Sequence, residues 1–176
     1  NGVALGHSRL AVVDLDARSD QPLTVGKTTV SYNGETWNFR EVRAELASRG
    51  RTFSTAGDTE VVAAVLDEWG WGGLRRLNGM FAVAWTDGDG TLWLARDRFG
   101  EIPLHYSGDT AASELKVLRA SGAVGPAPYV PPGGVVRLGR GKAREEWTFH
   151  ANGQLGTFSA GFGEAAAAVR RTVLAG

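Results

Sequence analysis

Phe81-Ala-Val-Ala-Trp85-Thr86-Asp87-Gly88-Asp89-Gly90-Thr91-Leu-Trp-Leu-Ala95 decides the fold class. Two apolar, β-prone runs, Phe81 to Trp85 and Thr91 to Ala95, flank Asp87-Gly-Asp-Gly90. Asp-Gly pairs supply the positive φ that tight hairpin turns require, so the two runs read as antiparallel neighbours. A parallel pair would need a crossover of a dozen or more residues, and this connection is far too short for one.

Working outward, two helices precede the hairpin. Asn38 is placed as an N-cap for a helix through Ser48. Phe39, Val42 and Leu46 form one apolar stripe along it, and Gly50 closes it. A second helix is expected from about Asp58 to Gly70, with Val61, Val62, Val65, Leu66 and Trp69 on one buried face. Upstream, residues 3–14 read as a strand and its exit, and residues 27–33 as a strand ending at Asn33-Gly34. Downstream come a short helix near Ser113 to Arg119, a turn at Pro131-Pro-Gly-Gly134 and a strand from Val135 to Leu138. Residues 150–163 are polar and Gly-rich and read as a linker. Residues 164–174 start another helix, whose Val169 and Val173 have no obvious core of their own. Strands grouped in antiparallel hairpins, with the helices as a separate pair, make the class α+β rather than alternating βαβ.

The chain has 176 residues, enough for one domain with a buried core. Nineteen Lys and Arg balance nineteen Asp and Glu, so nothing in the charge points to nucleic acid or an anionic membrane. Apolar runs such as Met80 to Trp85 are too short to span a bilayer, and the start Asn1-Gly2-Val3 has no signal-peptide character. There is no Cys, which removes disulfides and thiolate metal sites and fits a reducing compartment such as the cytoplasm. His105 and His150 lack partners at metal-ligand spacing, so no metal site is expected. No Gly-x-Ser-x-Gly elbow, dinucleotide fingerprint or Walker A loop occurs. The first residue is Asn rather than Met, and the expectation is a chain that begins inside a longer protein.

Four clusters carry candidate chemistry. His7-Ser8-Arg9-Leu10 places an Arg among apolar neighbours, where it suits either a structural ion pair or the two oxygens of a ligand carboxylate. Asn33-Gly34-Glu35-Thr36-Trp37-Asn38 is either a turn or a pair of donors, an Asn amide beside an exposed Gly N–H, as an oxyanion hole requires. Thr55-Ala-Gly-Asp58-Thr59-Glu60 fits a helix-capping box by spacing, or a carboxylate held at a loop–helix junction for an ammonium group. Leu77-Asn-Gly-Met-Phe-Ala82 together with Ala95-Arg-Asp-Arg-Phe-Gly100 reads as scaffold, with Arg96 and Asp97 able to pair.

In order and in register, these clusters resemble the class II glutamine amidotransferase domain of asparagine synthetases. The matching pieces include Ala4-Leu-Gly-His-Ser-Arg-Leu10, Gln21-Pro22, Asn33-Gly-Glu-Thr-Trp-Asn-Phe39, Asp58-Thr-Glu-Val61 and Leu77-Asn-Gly-Met-Phe-Ala82. Ala95-Arg-Asp-Arg-Phe-Gly100, Pro103-Leu104, Ala112-Ser-Glu-Leu-Lys116 and Val130-Pro-Pro-Gly133 continue the run. The resemblance implies an N-terminal-nucleophile (Ntn) hydrolase fold, an αββα sandwich of two antiparallel sheets with flanking helices. It implies hydrolysis of glutamine to glutamate and ammonia. Carried over residue by residue, it puts the glutamine α-carboxylate on Arg9, with Leu10, Val12 and Val13 lining the pocket. Asn33 and Gly34 become the catalytic oxyanion hole, Glu35 lies beside the substrate, and Asp58 takes the α-amino group.

The resemblance further implies domain limits of 1–149 for the amidotransferase unit and 150–176 for a linker and the start of a synthetase domain. No cofactor is implied in this unit; ATP and Mg belong to the synthetase domain. Glutamine and that C-terminal domain are the implied partners, with room for a homodimer. The family's N-terminal Cys and its Arg-His-Arg-Gly-Pro loop are not in the sequence, and Trp37 and Glu101 depart from the usual residues. Two readings follow. One is an asparagine-synthetase-like amidotransferase whose nucleophile lies outside these residues. The other is a non-catalytic scaffold of the kind found in β-lactam synthetases.

Overall fold

The computed structural model describes residues 2–8, 17–139, 145–150 and 161–174. In chain order, β1 (Leu23–Val25) and β2 (Thr28–Thr36) form a hairpin, followed by α1 (Phe39–Ser48) and α2 (Asp58–Trp69). β3 (Gly79–Thr86) and β4 (Thr91–Arg96) follow, then the short pair β5 (His105–Ser107) and β6 (Thr110–Ala112). α3 (Leu115–Ala120), β7 (Gly134–Gly139), β8 (Glu145–Thr148) and α4 (Phe162–Leu174) complete the order. Six strands make one antiparallel sheet in the order β1-β2-β3-β4-β7-β8, and β5-β6 form a second, two-stranded antiparallel sheet.

Strand pleating sends successive side chains to opposite faces, and both faces of the large sheet are buried. Val30 and Tyr32 of β2, Phe81, Val83 and Trp85 of β3 and Val135 of β7 share one core with Val61, Val62 and Val65 of α2 and Leu46 of α1. Ala82, Leu94, Val136 and Leu138 point the other way, onto Leu104 and Tyr106 at the start of the small sheet. α3 packs on that small sheet. The order of layers is helices, large sheet, small sheet and helix, the expected αββα arrangement with a short second sheet.

The helix pair does not cover the whole large sheet. Where it stops, four indoles stack in a row: Trp85 on Trp93 at 5.7 Å, Trp93 on Trp147 at 5.5 Å and Trp147 on Trp71 at 5.8 Å. Each such pair contributes about 0.5–1.5 kcal/mol beyond the area it buries, and the row ties β3, β4 and β8 to the segment that follows α2.

The two helices predicted ahead of the hairpin, the short helix near Ser113 to Arg119 and the central hairpin form close to where expected. Several local expectations need correction. Residues 3–8 are not a strand; they lie beside β2, held by Ser31 Oγ donating to the Gly6 carbonyl at 3.3 Å. Residues 9–14 fall outside the described residues. The second strand does not end at Asn33-Gly34: β2 runs on to Thr36, with Asn33 opposite Ala82 and Gly34 opposite Phe81. Gly34 is there for close approach, at φ +140°, where a Cβ would lie 2.1 Å from the Met80 carbonyl oxygen. Asn38 makes no side-chain cap. Its amide instead accepts from Asn78 N–H at 2.8 Å and donates to the Arg76 carbonyl at 2.9 Å, fastening the entry to β3. The expected linker falls largely on residues 151–160, outside the described set. α4 begins slightly earlier than predicted, with Phe162, Val169 and Leu174 exposed.

Candidate active site

The site lies along one edge of β2. β3 lines the other edge through Thr36, but β1 pairs with this one only from Thr28 to Val30, so among the described residues no strand covers this edge of β2 from Ser31 onward. Two side chains occupy that edge. Gln21 bonds both backbone groups of Tyr32, accepting from its N–H at 2.6 Å and donating to its carbonyl at 2.9 Å. Asp58 Oδ2 accepts from the Thr36 N–H at 2.9 Å. Backbone groups on a strand alternate in direction, so the N–H of Gly34, midway between Tyr32 and Thr36, faces the same edge. The partner strand agrees: Phe81, opposite Gly34, turns its own N–H and carbonyl toward Asp97 on the far side. Among the described residues that stretch of edge therefore offers one N–H, that of Gly34, with a side-chain acceptor on the Tyr32 N–H to one side and on the Thr36 N–H to the other.

Asn33 and Glu35 point to the other face of the strand, and both are exposed. Asn33 lines a cleft of about 580 Å³ between the large sheet and the small one, together with Ser31, Ala82, Ala84 and the segment around His7 and Ser8. His7 Nδ1 lies 3.2 Å from Ser31 Oγ, which holds that segment against the strand. Asn33 and Gly34 are thus adjacent at the point where the cleft meets the open edge.

Asp58 is the first residue of α2, and it is not part of a capping box. The N-cap is Gly57, with no side-chain cap bond. Glu60 serves the loop instead. Its carboxylate accepts from Ser54 N–H and Oγ, both at 2.9 Å, and from Thr55 N–H and Oγ1, both at 2.7 Å. Burial opposes ionisation of Glu60, but these bonds overrule it and hold its pKa below the usual carboxylate value. From α1, Arg43 donates to the carbonyls of Thr55 and Gly57, each at 2.8 Å. With the loop fixed from two sides, the Asp58 carboxylate is free to reach β2. Its Oδ2 takes a second bond from the Tyr32 hydroxyl at 3.2 Å, and Asp58 is buried.

The scaffold cluster is tied together, though not by an Arg96–Asp97 pair. Arg96 donates to the carbonyls of Ile102 at 2.6 Å, Val130 at 3.0 Å and Gly100. Asp97 accepts from four N–H groups: Phe81 at 3.1 Å, Phe99 and Gly100 at 2.8 Å and Glu101 at 3.0 Å. A turn rich in unpaired backbone groups satisfies both charges better than they satisfy each other.

Of the predicted site residues, Asn33, Gly34, Glu35 and Asp58 are placed by the structure; Arg9, Leu10, Val12 and Val13 lie outside the described residues. Gln21, Tyr32, Thr36 and Arg43 serve the site without having been singled out for it. Gln21-Pro22 is a matched piece of the family pattern, and that was the available signal. No group of three or more His, Cys, Asp or Glu among the described residues could hold a metal ion, and no described helix is long and apolar enough to cross a membrane.

A family model described as "glutamine amidotransferase domain" matches residues 1–129. The chain belongs to that family. Within it, the amidotransferase chain is 39% identical over 127 residues to asparagine synthetase [glutamine-hydrolyzing] 3 of Bacillus subtilis, covering 67% of this chain and 20% of that protein. It is 39% identical over 121 residues to asparagine synthetase B [glutamine-hydrolyzing] of Escherichia coli, covering 65% and 22% respectively. The amidotransferase chain therefore spans about a fifth of the length of these relatives. A solved glutamine phosphoribosylpyrophosphate amidotransferase from B. subtilis superposes with a TM-score of 0.70 at 24% identity, over 83% of this chain and 34% of that one. That likeness confirms an amidotransferase fold.

Proposed function

We propose that this chain is the glutamine-hydrolysing unit of an asparagine-synthetase-like amidotransferase, releasing glutamate and ammonia from glutamine. The observation that carries the reading is the open edge of β2, where the Gly34 N–H and the Asp58 carboxylate stand two residues apart. Two strand residues span about 6.6 Å. The amide carbon and amino nitrogen of glutamine are separated by four bonds of about 1.5 Å, a zigzag on the order of 5 Å. One glutamine can therefore rest its amide at Gly34 and its ammonium at Asp58.

In this reading a thiolate attacks the amide carbon and negative charge develops on the amide oxygen; the adduct collapses as the C–N bond breaks and the protonated nitrogen leaves as ammonia, and water then hydrolyses the thioester to glutamate and the free thiol. The Gly34 N–H and the Asn33 amide donate to that oxygen and stabilise it as it forms. Arg9 holds the α-carboxylate, with Leu10, Val12 and Val13 around the side chain, and Glu35 sits beside the substrate. The thiol comes from a Cys that the 176 residues do not contain. A free α-amine on the same residue, with a pKa of about 7.7–8.0, is suited to move the proton near neutrality.

Residues 1–149 form the amidotransferase unit and residues 150–176 lead into a synthetase domain that uses ATP and Mg to activate the acceptor carboxylate. The protein works in the cytoplasm, and a homodimer is compatible with the fold. Glutamate release from glutamine by the full-length protein tests the reading. Turnover that requires an N-terminal Cys supports it. A full-length protein that binds no glutamine and releases no glutamate is a scaffold, and the reading fails.

A further inference from the structure

We infer that Tyr32 is a positioning residue for Asp58 and sets how strongly the site selects a substrate with a free α-amino group. The inference rests on the glutamine reading above and adds a specificity device to it. Asp58 Oδ2 takes two hydrogen bonds, from the Thr36 N–H at 2.9 Å and the Tyr32 hydroxyl at 3.2 Å. Tyr32 Oη also lies 2.9 Å from Thr36 Oγ1. The phenol has one proton, and an ionised carboxylate can only accept, so that proton goes to Asp58. The Thr36 hydroxyl then donates to Tyr32. The result is a directed chain from Thr36 to Tyr32 to Asp58, enclosed in residues that are 0%, 2% and 7% exposed.

Both bonds fall on the same carboxylate oxygen. Oδ1 of Asp58 receives no hydrogen bond from the described residues. Two donors on one oxygen fix the plane of the carboxylate and leave the other oxygen for an incoming ammonium. A single donor would leave the group free to turn. Burial, and after it the Asp58 charge, push the Tyr32 phenol well above its ordinary range, so it remains a donor throughout the working pH range.

The hydroxyl is separable from the packing. The Tyr32 ring lies against Phe81 with centroids 6.2 Å apart, a contact that a Phe at this position keeps. Tyr32 acts through Asp58 and not on the amide, so its loss is expected to weaken recognition of the amino group and to leave the chemical step alone.

The test compares glutamine with glutaramate, the same amide without the α-amino group, as substrates of the full-length protein. In Tyr32→Phe, KM for glutamine is expected to rise about tenfold, the lower end of what a charge-assisted hydrogen bond is worth, with kcat within about twofold. KM for glutaramate stays unchanged, so the preference for glutamine shrinks by the same factor. Thr36→Val, which removes the far end of the chain, shifts the preference in the same direction and keeps the test decisive if Tyr32→Phe folds poorly. Equal losses on both substrates would mean that Tyr32 serves only the fold, and the inference is then wrong; no change on either substrate overturns it equally. A wild-type protein inert toward both substrates is a different result, since it removes the glutaminase reading and this inference with it.

Discussion

Asp58, the first residue of α2, is bonded to the N–H of Thr36, the last residue of β2, at 2.9 Å. That bond crosses from the helix layer to the sheet. It fixes an anion two residues along the strand from Gly34, at an edge no described strand covers.

Asp58→Asn keeps the shape of the side chain and an oxygen for the Thr36 N–H, but removes the charge. A hydrogen bond to a charged group is worth about 1.5–3 kcal/mol, so glutamine affinity is expected to fall by about one to two orders of magnitude. Calorimetry on the full-length protein measures it. Unchanged affinity would detach Asp58 from the substrate.

Asn33→Ala removes one proposed oxyanion donor and lowers kcat by about two to three orders of magnitude, with a smaller effect on glutamine binding. The companion experiment uses the 176-residue polypeptide alone. Having no Cys, it is expected to release no ammonia from glutamine. Turnover by that polypeptide would assign the nucleophile to a Ser or Thr and refute the thiol mechanism.

Gly34→Ala must push β2 away from β3, because its Cβ would meet the Met80 carbonyl and its φ of +140° is one that side chains rarely adopt. The φ strain alone costs about 1–3 kcal/mol, and the clash adds to it. Gly50→Ala is the control: its φ is +92°, and nothing lies within 4 Å of the added carbon. The urea midpoint of Gly34→Ala is expected to drop clearly below that of Gly50→Ala. Equal midpoints would show that the strand end is loose.

Glu60 has a lowered pKa in the folded protein, because four hydrogen bonds from Ser54 and Thr55 overrule its burial. A carboxylate with a depressed folded pKa stabilises the fold above its unfolded value of about 4.3, and that contribution is lost as pH falls through the folded value. Glu60→Gln should therefore lower stability at neutral pH and flatten the loss of stability below about pH 4.3. An acid limb identical to that of wild type would place the carboxylate outside this role.

The sequence by itself determined the fold class, both main helices and the central hairpin. These rest on local physics. Asp87-Gly-Asp-Gly90 between two β-prone runs allows only a tight antiparallel turn, and the stripe of Val61, Val62, Val65 and Leu66 suits only a helix buried on one face. The order of its short motifs also singled out Asn33, Gly34 and Asp58 as candidates. Tertiary structure decided what those residues face. Asn33-Gly34 reads locally as a turn, yet β3 pairs with it and draws it into a strand, because eight cross-strand residue pairs outweigh a local turn preference. Asn38 reads as a cap, yet the Asn78 N–H and the Arg76 carbonyl compete for its amide, and neither is near it in sequence. Thr55 and Asp58 read as a capping box, yet Glu60 takes the loop and frees Asp58 to cross to β2. A hydrogen bond between residues 22 or 26 positions apart leaves no periodic trace in a chain. Tyr32, Thr36 and Gln21 became parts of the site only once the sheet edge that holds them was formed.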